Sequence, residues 1–125
     1  IDKKTWRCWY SKDTAADYSY KTFRKYLNLV FTYAGTASLE KELTTITGKE
    51  LQVGDVIING GHPGHTVIVV DKAVNKKGEA VYLLAQGYTP AQEIEIFNQW
   101  FSINPQIKYL DTPDWYFRGN YAKRF

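Results

Sequence analysis

Two histidines stand in the stretch GGHPGHTVIVVD, Gly60 to Asp71, on a Gly-Pro-Gly loop at the mouth of a β-branched run. Imidazole is the side chain best suited to accept and return a proton near neutral pH, so a histidine aimed from such a loop is a candidate general base. A base needs a nucleophile and an orienting group. The nucleophile candidates are Cys8, the one thiol in the chain, and Ser19, which stands directly before a helical pattern. The orienting candidate is Gln86, which closes the next apolar run; Asp55 and Asp71 are acidic alternatives. His65 and Gln86 flank the NKKG turn at 75–78 almost symmetrically, so an antiparallel pair brings them together. Each residue also has a plainer reading. His65 would close a tight turn, Cys8 would pack as a small apolar residue between Trp6 and Trp9, and Ser19 would cap a helix. Asp55 would bond to backbone in its turn, and Asp71 would face solvent. His62 is incidental to the site.

The elements that must position these groups follow from the apolar period. Tyr20, Phe23, Leu27, Val30, Phe31 and Ala34 share one helical face, with Lys21, Arg24, Lys25 and Asn28 opposite. Ser19 is the expected N-cap and Gly35 the expected stop. A second short helix is expected over Thr36–Leu43, capped by Thr36 or Ser38, with Glu40 and Glu42 in its first turns. From Leu51 the period changes. Gly54-Asp55 turns into a strand, Thr66–Val70 forms the next, and Ala80–Gln86 returns after the NKKG turn. Glu93–Phe97 alternates as a half-buried strand, and Ile107–Leu110 is a further one. The aromatic tail DWYFRGNYAKRF is expected to dock back on the sheet. Helices followed by an antiparallel meander predict an α+β fold of one domain, with a helix against one sheet face.

Composition narrows the function. A chain of 125 residues with 44% apolar and 23% charged residues suits one soluble core. The net charge of +3 is scattered in pairs such as Lys3-Lys4 and Lys76-Lys77, which argues against nucleic acid as a partner. One cysteine allows neither an internal disulfide nor a cysteine metal cluster, and no His/Cys/Asp spacing points to a metal or other cofactor. No apolar run reaches the ~18 residues of a membrane span. Ten Tyr, six Phe and four Trp are unusually many. Tyr88, Gln92, Trp115 and Tyr116 are candidates to line a groove for a peptide or glycan.

A helix, a GD turn, a GH at a strand start and a polar residue on the following strand together resemble the NlpC/P60 and CHAP group of papain-like peptidases and amidases. That likeness implies a papain-like core, His65 as base, Gln86 as its orienting residue, and a nucleophile at the helix start. Ser19, not cysteine, stands there. A closer likeness covers more of the chain. YKTFRKYLNLVFTYAGTASLEKEL, GGHPGHTVIVVD, VNKKGE and LLAQGYTPAQ resemble DUF4846, a family of bacterial proteins from Bacteroidetes, over roughly residues 18–125. This second likeness implies the C-terminal portion of a longer protein, with a missing N-terminal segment as its partner. It also implies export to the periplasm or attachment as an outer-membrane lipoprotein, and a peptide or glycan of the cell envelope as ligand. A chain opening at Ile1 rather than Met fits a processed or truncated piece, and predicts an exposed apolar patch near Trp6 and Trp9.

Overall fold

The change of apolar period near residue 44 is where helices give way to strands in the computed structural model, which describes residues 15–47, 50–88, 93–103, 109–119 and 121–125. Two helices come first, α1 (Tyr20–Tyr33) and α2 (Thr36–Glu42). Among the described residues eight strands follow: β1 (Thr44–Thr45), β2 (Val56–Asn59), β3 (His65–Val74), β4 (Ala80–Gln86), β5 (Glu95–Phe101), β6 (Tyr109–Asp111), β7 (Tyr116–Arg118) and β8 (Ala122–Arg124). The fold is α+β, as the element order predicts. The chain divides into two compact units, one ending at Tyr33 and one running from Ala34 to Phe125.

In the first unit, Ser19 caps α1. Its Oγ accepts the Thr22 N–H at 3.3 Å and its carbonyl accepts the Phe23 N–H. Asp17 extends the cap by accepting the Ser19 N–H and the Thr22 hydroxyl, and these bonds, the Thr22 hydroxyl foremost, hold its carboxyl below the usual aspartate value. α1 carries no buried side chain; Leu27 and Val30 are its half-buried apolar positions.

In the second unit, α2 lies against β2. Gly35, in extended backbone, is its N-cap, and no side chain caps it. The expected caps therefore differ from those found: Thr36 is already in the first turn, and the Ser38 hydroxyl donates to the Gly35 carbonyl. Glu40 and Glu42 fall beyond the first turn.

β1 to β5 and β8 form one antiparallel sheet in the order β1-β8-β2-β3-β4-β5, and β6 pairs with β7 in a separate hairpin. The meander from β2 to β5 is as expected. The tail does more than dock: its last strand enters the sheet between β1 and β2. One face of the sheet carries Ile57, Val67, Val69, Tyr82 and Leu84, and Phe117 of β7 joins the same buried cluster. The expected strand at Glu93–Phe97 is displaced to β5, where Phe97 and Phe101 point inward and Ile96 is exposed. The expected strand at Ile107–Leu110 is found as β6; residues 107 and 108 lie outside the described residues. No helix among the described residues is long and apolar enough to cross a membrane.

Candidate active site

The site is built where β3 begins and β4 ends. The β3–β4 hairpin turns at NKKG, with Asn75 Oδ1 accepting the Lys77 and Glu79 N–H groups and Gly78 at φ +80°. Near this turn Val74 pairs with Ala80 and Lys72 with Tyr82. Carried unbroken to the far end, that register would set Gln86 opposite Ile68, whose side chain faces away from that of His65. A bulge between Val69 and Asp71 shifts the register by one residue, so Gln86 pairs with Val67. His65 and Val67 share a face, and Gln86 becomes the diagonal neighbour of His65. The result is a hydrogen bond of 2.7 Å between His65 Nε2 and Gln86 Oε1.

A second irregularity, between Leu83 and Ala85, sets Glu95 of β5 directly opposite Gln86. A third element converges from the β6–β7 hairpin. At its tip the Thr112 hydroxyl accepts the Trp115 N–H and donates to the Trp115 carbonyl, closing a turn that presents Asp114 and Trp115. Asn59 ties this hairpin to the sheet: its amide donates to the Arg118 carbonyl at 3.0 Å and accepts the Arg118 N–H at 3.0 Å. Asn59 is also the cross-strand partner of His65, so the strap sits beside the imidazole.

Gln86 is 3% exposed and fully bonded. Its Nε2 donates to Asp114 Oδ2 at 2.6 Å and to Glu95 Oε2 at 3.2 Å, and its Oε1 faces His65. The imidazole rests among aromatic rings. Trp115 stacks on it with centroids 5.3 Å apart, Tyr88 lies at 5.5 Å, and Phe117 closes the inner side at 6.0 Å. An amide oxygen only accepts, so with Gln86 Oε1 toward the ring a neutral His65 would carry its proton on Nε2 and its lone pair on Nδ1. Among the described residues Nδ1 makes no hydrogen bond.

Close approach explains the glycines before His65. A Cβ on Gly64 would collide with the Thr36 hydroxyl and come within 2.7 Å of the Gly61 nitrogen; one on Gly60 would lie 2.7 Å from Glu40 Oε2 and 2.9 Å from the Thr36 carbonyl. Glycine is what lets α2 lie against the loop.

Asp55 is absent from the site; it anchors the fold. Arg124 of β8 grips its carboxylate with two bonds of 2.7 Å and donates to the Glu50 carbonyl. The Gln52 N–H adds a bond of 2.8 Å. Burial, the largest single influence, disfavours the charge. The Arg124 hydrogen bonds, the Gln52 N–H and the charges of Arg124 and Lys72 together outweigh it and hold the carboxyl below the ordinary aspartate value.

The family model for the domain of unknown function 4846 (DUF4846) matches residues 2–124. This chain belongs to the DUF4846 family. No curated protein and no solved structure matches it.

Of the residues singled out from the DUF4846 sequence, His65, Gln86, Tyr88 and Trp115 come together. Tyr116 is on the outer face of its hairpin, stacked on Tyr109 and covered by the Arg118 guanidinium. Ser19 belongs to the first unit and spends its Oγ on the α1 cap. Asp71 is exposed at the bulge, its carboxylate accepting the Lys72 N–H. Cys8, Gln92, Trp6 and Trp9 lie outside the described residues. Among the described residues no group of His, Cys, Asp and Glu is arranged to hold a metal ion. Asp114, Glu95 and Asn59 escape sequence reasoning. The turn residues TPDW were the available signal for Asp114, but nothing local says where that turn docks.

Proposed function

We propose that this DUF4846 chain is an amide-bond hydrolase of the papain-like type, with His65 as general base and Gln86 as its positioning residue. The observation that supports it is the 2.7 Å bond from His65 Nε2 to Gln86 Oε1, which leaves Nδ1 to serve as the base. The nucleophile in this reading is proposed from the sequence alone: Cys8, the one thiol of the chain. Nδ1 takes the thiol proton, the thiolate adds to the carbonyl carbon, and the imidazolium returns the proton to the departing amine as the C–N bond breaks. Water then hydrolyses the thioester with Nδ1 again as base. Ser19 is left to its capping role. Tyr88 and Trp115, packed beside the imidazole, would offer aromatic surface to a peptide chain, and the NlpC/P60 likeness directs the proposal to peptide bonds of the cell envelope. An exported protein, periplasmic or lipid-anchored, would meet that substrate.

The same aromatic residues support a second reading, a binding module for peptide or glycan with no covalent chemistry. Alkylation of Cys8 by iodoacetamide across a pH series separates the two. An ordinary thiol reacts as the pH approaches about 8.5, whereas a thiol paired with imidazole reacts well below that. The hydrolase reading expects Cys8 to alkylate in mildly acid solution in the parent chain and to lose that reactivity in His65→Ala. An ordinary thiol profile, unchanged by His65→Ala, would leave the binding module standing.

A further inference from the structure

Gln86 could in principle present either end of its amide to His65, and the two choices have opposite consequences. With Oε1 toward the ring, Nε2 must be the donor and Nδ1 the base. With the NH2 toward the ring, Nε2 becomes an acceptor and the proton moves to Nδ1, which removes the lone pair on Nδ1. His65 therefore does not choose its own tautomer. The choice is made on the far side of the amide, where two carboxylate oxygens, Asp114 Oδ2 at 2.6 Å and Glu95 Oε2 at 3.2 Å, both meet the same nitrogen. Ionised carboxylates accept and cannot donate. A flipped Gln86 would set its carbonyl oxygen against two anions inside a site where Gln86 is 3% exposed, leaving a buried acceptor unpaired and repelled.

We infer that Asp114 and Glu95 are positioning residues that act through Gln86 to fix His65 as the Nε2–H tautomer. The two come from separate elements, the tip of the β6–β7 hairpin and the edge strand β5, so the relay depends on both docking correctly. Both carboxylates bond to the Gln86 amide rather than to the imidazole, and neither would touch a reacting atom. Their effect travels through one amide. The inference rests on the proposed base role of His65 for its catalytic meaning, but the tautomer is a property of the folded chain whether or not it hydrolyses anything.

The test is nitrogen-15 NMR of the histidine side chains in the intact chain, with His62→Gln used to assign the His65 signals. In mildly alkaline solution the parent His65 is expected to show an Nε2–H cross-peak protected from exchange with water and an unprotonated Nδ1. In Asp114→Ala/Glu95→Ala the protected cross-peak is expected to be lost, or an Nδ1–H population to appear, while the backbone amide spectrum stays dispersed. Both carboxylate residues are exposed, so the double variant should fold; Asp114→Ala alone serves if it does not. An Nδ1–H tautomer in the parent chain overturns the inference. So does a protected Nε2–H that survives both substitutions unchanged. A correct tautomer with no acid reactivity at Cys8 would instead refute the hydrolase and leave the relay intact.

Discussion

Replacing Asp55 by Asn tests a long-range tie between the start of β2 and β8. The substitution keeps the shape but sets an NH2 group against the guanidinium of Arg124, which now meets a donor where it had an acceptor. Asp55 has 5% of its side chain exposed and Arg124 has 40%, so the pair is neither fully buried nor a surface pair. Breaking a buried pair costs about 3–5 kcal/mol, and solvent around Arg124 lowers that, so a loss of about 2–3 kcal/mol at neutral pH is expected for Asp55→Asn. The pH dependence has a definite sign. The folded carboxyl titrates below the ordinary value, so its contribution is complete above about pH 3.9, the unfolded value, and fades as the pH falls through the lower folded value. Asn does not titrate. The stability gap between parent and variant should therefore be widest at neutral pH and close as the solution becomes strongly acid. Urea unfolding of the two chains at a series of pH values measures this. A gap below about 0.5 kcal/mol at neutral pH, or one that does not change on acidification, would refute the reasoning, because it would place Asp55 among ordinary surface ion pairs.

Two further outcomes follow from local geometry. Gly64→Ala should cost about 1–3 kcal/mol by overpacking against the Thr36 hydroxyl, and should shift the His65 signals in the NMR experiment; an unperturbed imidazole would show that the loop yields freely. Ser19→Ala should remove about 1 kcal/mol of helix stability in α1, read by circular dichroism, and should leave any His65-dependent chemistry untouched; loss of that chemistry with α1 intact would return Ser19 to the list of nucleophiles.

The parts of this protein legible in its sequence are those decided within a few residues. The α1 pattern begins at its serine cap, the Gly54-Asp55 turn opens β2, and NKKG closes a hairpin whose return strand has the expected bounds. Local chemistry is enough for each: period, caps and turn residues act over one or two turns of chain. Even the proximity of His65 and Gln86 was legible, because residues placed symmetrically about a hairpin turn must lie near each other.

What decided whether that proximity became a hydrogen bond was not local. The turn by itself sets a register that would point Gln86 away from His65, and the bulge at Val69–Asp71 reverses it. No residue type in TVIVVD announces a bulge; it arises where the pleat must meet both the buried face and the turn. Glu95 was read as the polar side of a half-buried strand, and a second register shift, of two residues, slid it opposite Gln86 while Ile96 faced out. Asp114 reaches the site from 28 residues along the chain, and Arg124 reaches Asp55 from 69. The sequence by itself determined that this is an α+β chain with a histidine at a strand mouth and an amide within reach. Only the tertiary structure decided which end of the amide faces the ring, because that depends on two carboxylates that strand register and hairpin docking bring from elsewhere.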